Sequence, residues 1–348
     1  MSFTPPHHSS QKSLLYEVSY IRPIVIFLLV FMHSFSHVVN ISNGSNVVTL
    51  IEPYKWIVDL IVGFRIETIA FVAGYVFSYQ SNELNKKYHF CSFVFKKFKR
   101  LIVPMLFFST IYYFCFSFKS AEDFSFLAFL FKIFSGCGHL WFLSMLFWCF
   151  ISIWLIDHYK LHSWGLLIIL AGLSLSPSIS IPFGFGRLPH FLFYVYAGYY
   201  LWLKKEYILR FFVGKASVIL PVLLYMTLVF VEHRLVIDTG SMGNYLWRHI
   251  IMLIKSCVGI LALYIIAFKF THVDHFKPSK IILEANKICY GVYVFHQFIL
   301  VFLYEHTNLY LVTGDIFTPW VAFTITVSLS IILTKITLKT KFGRFLLG

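Results

Sequence analysis

The stretch Tyr20–Val39, YIRPIVIFLLVFMHSFSHVV, decides the class of fold and raises the functional question. It is apolar enough to cross a bilayer, since about 20 predominantly apolar residues span a hydrocarbon core of roughly 30 Å. Yet it carries Arg22, His33 and His37. A charged group at mid-bilayer costs about 2.5–3.5 kcal/mol on insertion scales, so a helix that keeps such groups needs a reason for them.

The rest of the chain places this stretch in context. Of 348 residues, 59% are hydrophobic and 13% charged, and the mean hydropathy is +0.77. Soluble domains are about a quarter charged, so they are excluded as a class. A transmembrane β-barrel would alternate apolar and polar residues in segments of about ten, and this pattern is missing. Long apolar runs recur instead, at roughly 21–39, 55–79, 101–118, 139–156, 163–177, 189–203, 216–232, 246–268, 281–304 and 318–337. They predict an all-α integral membrane protein of about ten transmembrane helices.

The net charge of +14 is a matter of topology, not of nucleic acid, for which no role is expected. Alternate connections hold the cations: Lys86, Lys87 and Lys96–Arg100, then Lys204, Lys205 and Arg210, then Lys269, Lys277 and Lys280, and finally Lys339, Lys341 and Arg344. The other connections hold only scattered basic residues such as Lys119 and Arg187. The positive-inside rule then puts both termini in the cytoplasm. Residues 1–19 read as a cytoplasmic tail without a cleavage site, and 1–348 as one membrane domain with no appended soluble domain. Pro23 is expected to open the first helix, where a missing N–H costs nothing. The six cysteines show no CxxC spacing and read as small apolar fillers, so no metal is expected.

Helical geometry makes the first span specific. Arg22 and His33 are eleven residues apart, about three turns, so they share a face at a separation of roughly 16 Å. Arg22 falls at the cytoplasmic edge, where a guanidinium suits phosphate, and His33 near the midplane. His37 lies one turn further out. The second span brings Glu67 to a similar depth, with Arg65 and Asp59 above it. Its carboxylate is placed to hold the His33 ring as a base, or to pair internally with Arg65 or a lysine. Lys255, within the eighth span, is a further partner for either carboxylate. The run FKKFKRLIVP (95–104) concentrates Lys97 and Arg100 before Pro104, as topogenic charge or as an anchor for an anionic ligand. His139 and Trp141 stand at the outer mouth of the fourth span, and His296 with Gln297 within the ninth. The turn-rich segments 176–187 and 235–244 do not look catalytic.

Taken together, these phrases resemble the membrane-bound acyltransferase 3 family. Arg22 and His33 match its arginine and histidine separated by ten residues in the first helix. IAFVAGYVF (69–77), KKFKRLIVP (96–104), HLWFL (139–143) and YGVYVFH (290–296) match four further phrases in the right order. The resemblance implies a ten-helix enzyme in the cell's inner, cytoplasmic membrane. Its donor would be cytoplasmic acyl-CoA, usually acetyl-CoA, and its acceptor a hydroxyl of a surface glycan, a lipid-linked carbohydrate or a related exported molecule. By the same analogy His33 is catalytic, Arg22 with Lys97 and Arg100 serves the donor, and His139, Trp141 and His296 line the acceptor or transfer path. RIET (65–68) departs from the family phrase, so Glu67 receives no role by analogy. His33 would act either as a general base or as a nucleophile forming an acyl-imidazole. A proton-coupled transporter or flippase using His33 and Glu67 as relays is the rival reading.

Overall fold

The structure, a computed structural model, describes residues 15–44, 52–118, 124–234 apart from 178, 180, 213 and 215, 242–273 and 276–348. It is 87% helical, with no strand among the described residues. In chain order the helices are α1 (Tyr16–Gly44), α2 (Glu52–Ile61), α3 (Arg65–Ser78), α4 (Phe90–Lys97), α5 (Val103–Tyr112), α6 (Phe126–Ser135), α7 (Trp141–His158) and α8 (Trp164–Ser174). They continue with α9 (Leu188–Leu203), α10 (Lys205–Leu209), α11 (Ala216–Arg234), α12 (Met242–Thr271), α13 (Lys280–Glu305), α14 (Leu309–Lys339) and α15 (Lys341–Leu347).

Eight segments among the described residues are long and apolar enough to cross a membrane. They correspond to eight of the ten expected spans, and the remaining two are shorter. α8 has 11 residues and α9 has 16, or about 16 and 24 Å of rise, against a core of roughly 30 Å. Phe183 and Gly184 both take positive φ, 63° and 66°, in the turn Pro182–Arg187. The other correction concerns the start of α1. The helix begins at Tyr16, inside the expected tail, so Pro23 lies within it and not at its first turn. Burial of Val18 and Ile21 favours continuing the helix through the proline despite one lost backbone bond.

Glycines at two places in the fold explain how the span helices meet. α3 packs most extensively against α9. A Cβ on Gly74 would overlap the Val195 carbonyl, and one on Gly198 would overlap the Phe71 carbonyl. The helices therefore touch backbone to backbone through reciprocal small residues, as membrane helices do when lipid offers no hydrophobic drive. The second place is Gly63, at φ +100°. Its carbonyl accepts the Ser256 hydroxyl, and the Lys255 chain fills the space where a side chain would point. This turn ends α2 and lets Arg65 begin α3.

Candidate active site

A cavity of about 450 Å³ opens between α1, α3, α7 and α13 at the end where α1 starts. That is within the range of roughly 300–1,000 Å³ typical of small-molecule sites. Arg22, Lys97 and Arg100 all line it, joining three residues from two separate segments. A π-helical turn, Phe98–Ile102, follows α4 and turns the Arg100 side chain toward the same space as Lys97. The Tyr290 hydroxyl fixes the bend by donating to the Arg100 carbonyl at 3.3 Å. The Lys97 ammonium sits 3.3 Å above the Phe150 ring. Among the described residues, no carboxylate lies within ion-pair distance of any of the three cations. A cluster of unopposed cations in a cavity suits a polyanion.

The inner wall of the cavity is apolar, formed by Ile69, Val72, Phe142, Leu143 and Leu146, and it ends on Tyr293. Behind Tyr293 stand the three sequence-predicted histidines. The ring centroids of His33 and His296 are 5.5 Å apart, and those of His296 and His139 are 4.7 Å apart. The Tyr293 ring packs 5.0 Å from His139, and its hydroxyl donates to the His139 backbone carbonyl at 2.6 Å. His296 is fully buried, and its Nδ1 lies 2.6 Å from the Tyr293 carbonyl. A carbonyl only accepts, so Nδ1 carries the proton and the neutral ring keeps a lone pair on Nε2. That Nε2 and both ring nitrogens of His139 are buried without a hydrogen-bond partner among the described residues. The carbonyls of Tyr293 and Val294 lie close to His139 but outside hydrogen-bond geometry. Buried polar atoms left unsatisfied are rare in folded proteins and call for a partner or a function.

The other charged residues sort differently. Glu67 meets His190 of α9, Oε1 to Nε2 at 3.9 Å, a partner that the sequence did not suggest. Arg65 lies close enough to act electrostatically on both Glu67 and His296. Asp59 pairs with His233 at 2.7 Å, and the other nitrogen of that ring faces Glu52 at 2.7 Å. Lys255 is fully buried and pairs with Glu232 of α11, so neither predicted carboxylate is its partner. Trp141 carries the Arg187 guanidinium over its ring at 3.8 Å. The His37 side chain lies outside the described residues.

Sequence reasoning passed over Tyr293, Arg187 and His190. Tyr293 sits inside the quoted phrase YGVYVFH, one helical turn before His296, and that spacing was the available signal. Arg187 and His190 are three apart around Pro189, at the head of an apolar run.

Comparison with curated proteins and with solved structures gives no match. A family model described as an acyltransferase domain, that of acyltransferase 3, matches residues 15–338. That interval takes in the three histidines, the three cations of the cavity and nearly all of the eight candidate spans among the described residues, so this multi-pass membrane protein belongs to the acyltransferase 3 family.

Proposed function

We propose that the protein transfers an acyl group, acetyl in the first instance, from cytoplasmic acyl-CoA to a hydroxyl of a surface or exported carbohydrate. The reading rests on one junction: a cavity walled by Arg22, Lys97 and Arg100 that ends on Tyr293, directly in front of the His33–His296–His139 stack. CoA is a phosphate-rich head joined by a long arm to a reactive thioester. The cations hold the head at the cytoplasmic rim, and the apolar inner wall receives the arm. The 11 residues from Arg22 to His33 bring the thioester roughly 16 Å inward. Both termini are cytoplasmic in this arrangement, and the membrane is the inner, cytoplasmic one.

In the direct route, the acceptor oxygen attacks the thioester carbonyl carbon while His33 takes the hydroxyl proton. The C–S bond breaks, and the proton taken from the acceptor hydroxyl is passed to the departing CoA thiolate. General-base help of this kind contributes about 10²–10⁴-fold. In the two-step route, a His33 nitrogen attacks first, CoA leaves, and the acyl-imidazole is then taken by the acceptor oxygen. His296 offers a lone pair on Nε2 to either route as the next station for the proton. Glu67 faces His190 and not His33, so it takes no part in this step. Exclusion of water from the site limits wasteful thioester hydrolysis.

Release of CoA thiol from acetyl-CoA by the purified protein in detergent tests this without a known acceptor, since slow hydrolysis suffices. His33→Ala is expected to abolish release, and Arg22→Ala to raise KM. Wild-type protein that neither binds nor cleaves acetyl-CoA, or a longer acyl-CoA, would sink the proposal and put a transporter ahead of it.

A further inference from the structure

At the end opposite the donor cavity, Trp141, Arg187, His190, Glu67 and Arg65 form a second group of polar residues that the transfer chemistry does not use. The turn Pro182–Arg187 is fastened to α7. The Trp148 indole N–H donates to the Phe183 carbonyl at 3.1 Å, and Gly184 lies so close to Ser144 and Met145 that a Cβ would meet them at 2.7 and 2.9 Å. Arg187 is therefore held against Trp141, with its guanidinium carbon 3.8 Å from the ring centre. It is only partly buried, and no carboxylate pairs with it among the described residues. One turn along α9, the His190 Nδ1 faces the Ser174 carbonyl at 3.1 Å and Nε2 faces Glu67 at 3.9 Å. Arg65 adds a second guanidinium beside Glu67, and its Nε is buried without a hydrogen-bond partner. Two guanidinium groups and an imidazole thus stand against one carboxylate.

This group adjoins the histidine stack. Trp141 follows His139 by two residues, Phe191 packs against both Trp141 and Phe142, and Arg65 acts on His296. We propose that it is the acceptor subsite and that the acceptor is an anionic carbohydrate. Its carboxylate or phosphate pairs with the Arg187 fork, and a sugar face lies on the apolar surface around Trp141. The planar guanidinium matches either oxyanion with two parallel hydrogen bonds. The proposal rests on the acyl-transfer reading for the word acceptor, but the preference for an anion stands on these residues alone.

Binding separates the two. Glucuronate, glucose 1-phosphate and glucose are added to the protein in nanodiscs, and stabilisation against heat is titrated for wild type, Arg187→Gln and Arg187→Lys. At least one anionic sugar is expected to bind about 10-fold more tightly than glucose, the scale of one charge-assisted hydrogen bond. Arg187→Gln should reduce that ratio to near one, and Arg187→Lys should keep part of it. A stronger response to glucuronate identifies an acidic sugar, and a stronger response to glucose 1-phosphate identifies a phosphate-linked one. Equal responses to all three sugars, including none at all, overturn the proposal, as does a ratio unchanged in Arg187→Gln. The same sugars are then tested for acceleration of CoA thiol release. An intact anion preference without any thiol release supports the subsite and counts against the donor reading instead.

Discussion

Two regions of the helical bundle treat buried charge in opposite ways. At the donor end, Arg22, Lys97 and Arg100 converge on a cavity with no carboxylate opposed to them among the described residues. Around α2, α11 and α12, the buried basic side chains are matched: Lys255 has Glu232, and His233 has both Asp59 and Glu52. Composition alone cannot separate the two, because both put ionisable residues into apolar helices. Pairing separates them. A matched pair settles its own electrostatics and holds helices together, whereas unmatched cations persist where a ligand completes them.

The contrast can be broken from the paired side first. Lys255→Met leaves Glu232 without its cation, which is expected to cost about 3–5 kcal/mol of stability. Unfolding in mixed detergent measures the loss, and adding Glu232→Gln should recover part of it. If the double variant is no more stable than the single one, the pair is not what Lys255 is for. On the donor side, Arg22→Gln and Arg100→Gln should each raise the KM for acetyl-CoA about 10-fold, from the loss of a charge-assisted bond. Their stability should be unchanged or slightly higher, since a repelling cation is gone. A large drop in melting temperature with normal KM would place these arginines in the structural class.

His233→Gln is expected to do less. The ring is buried, but Glu52 and Asp59 remain 53% and 30% exposed, and exposed pairs contribute about 0.2–1 kcal/mol. The smallest perturbation is labelling with a membrane-impermeant maleimide. Cys91 is exposed near the donor end and should react from the cytoplasmic face only. Cys137 is buried at the opposite end, just ahead of the span that starts at Gly138, and burial pushes its thiol up to about 11, so it should stay unlabelled at neutral pH. Labelling of Cys91 from the outer face would reverse the assigned topology.

The donor side was the more legible in sequence, for a geometric reason. Arg22 and His33 lie on one helix, where spacing converts directly into depth and face. Lys97 and Arg100 sit in one short basic run. His139 and His296 could be singled out in the sequence but not brought together, because one histidine in an apolar helix carries no periodic signal. The Glu67–His190 contact joins residues 123 positions apart (190 minus 67) on helices that are not neighbours in sequence, and nothing local announces it. Lys255 was assigned the wrong acids for the same reason. The eight long spans were readable from apolar runs, but the left-handed turn at Phe183 and Gly184, between the shorter α8 and α9, was not. Phenylalanine rarely adopts that conformation.

The reciprocal seating of Gly74 and Gly198 also governs how the protein is made. α3 is inserted early in synthesis, yet the surface it must touch lies on α9, 124 residues later (198 minus 74). Until that helix leaves the ribosome, the notch around Gly74 faces lipid and the wall of the donor cavity has no backing. Assembly of this enzyme therefore waits on a late, long-range event. Truncated chains that stop before residue 188 should be recognised as orphans by membrane quality control, even though Arg22, Lys97 and Arg100 of the donor cavity have already been translated.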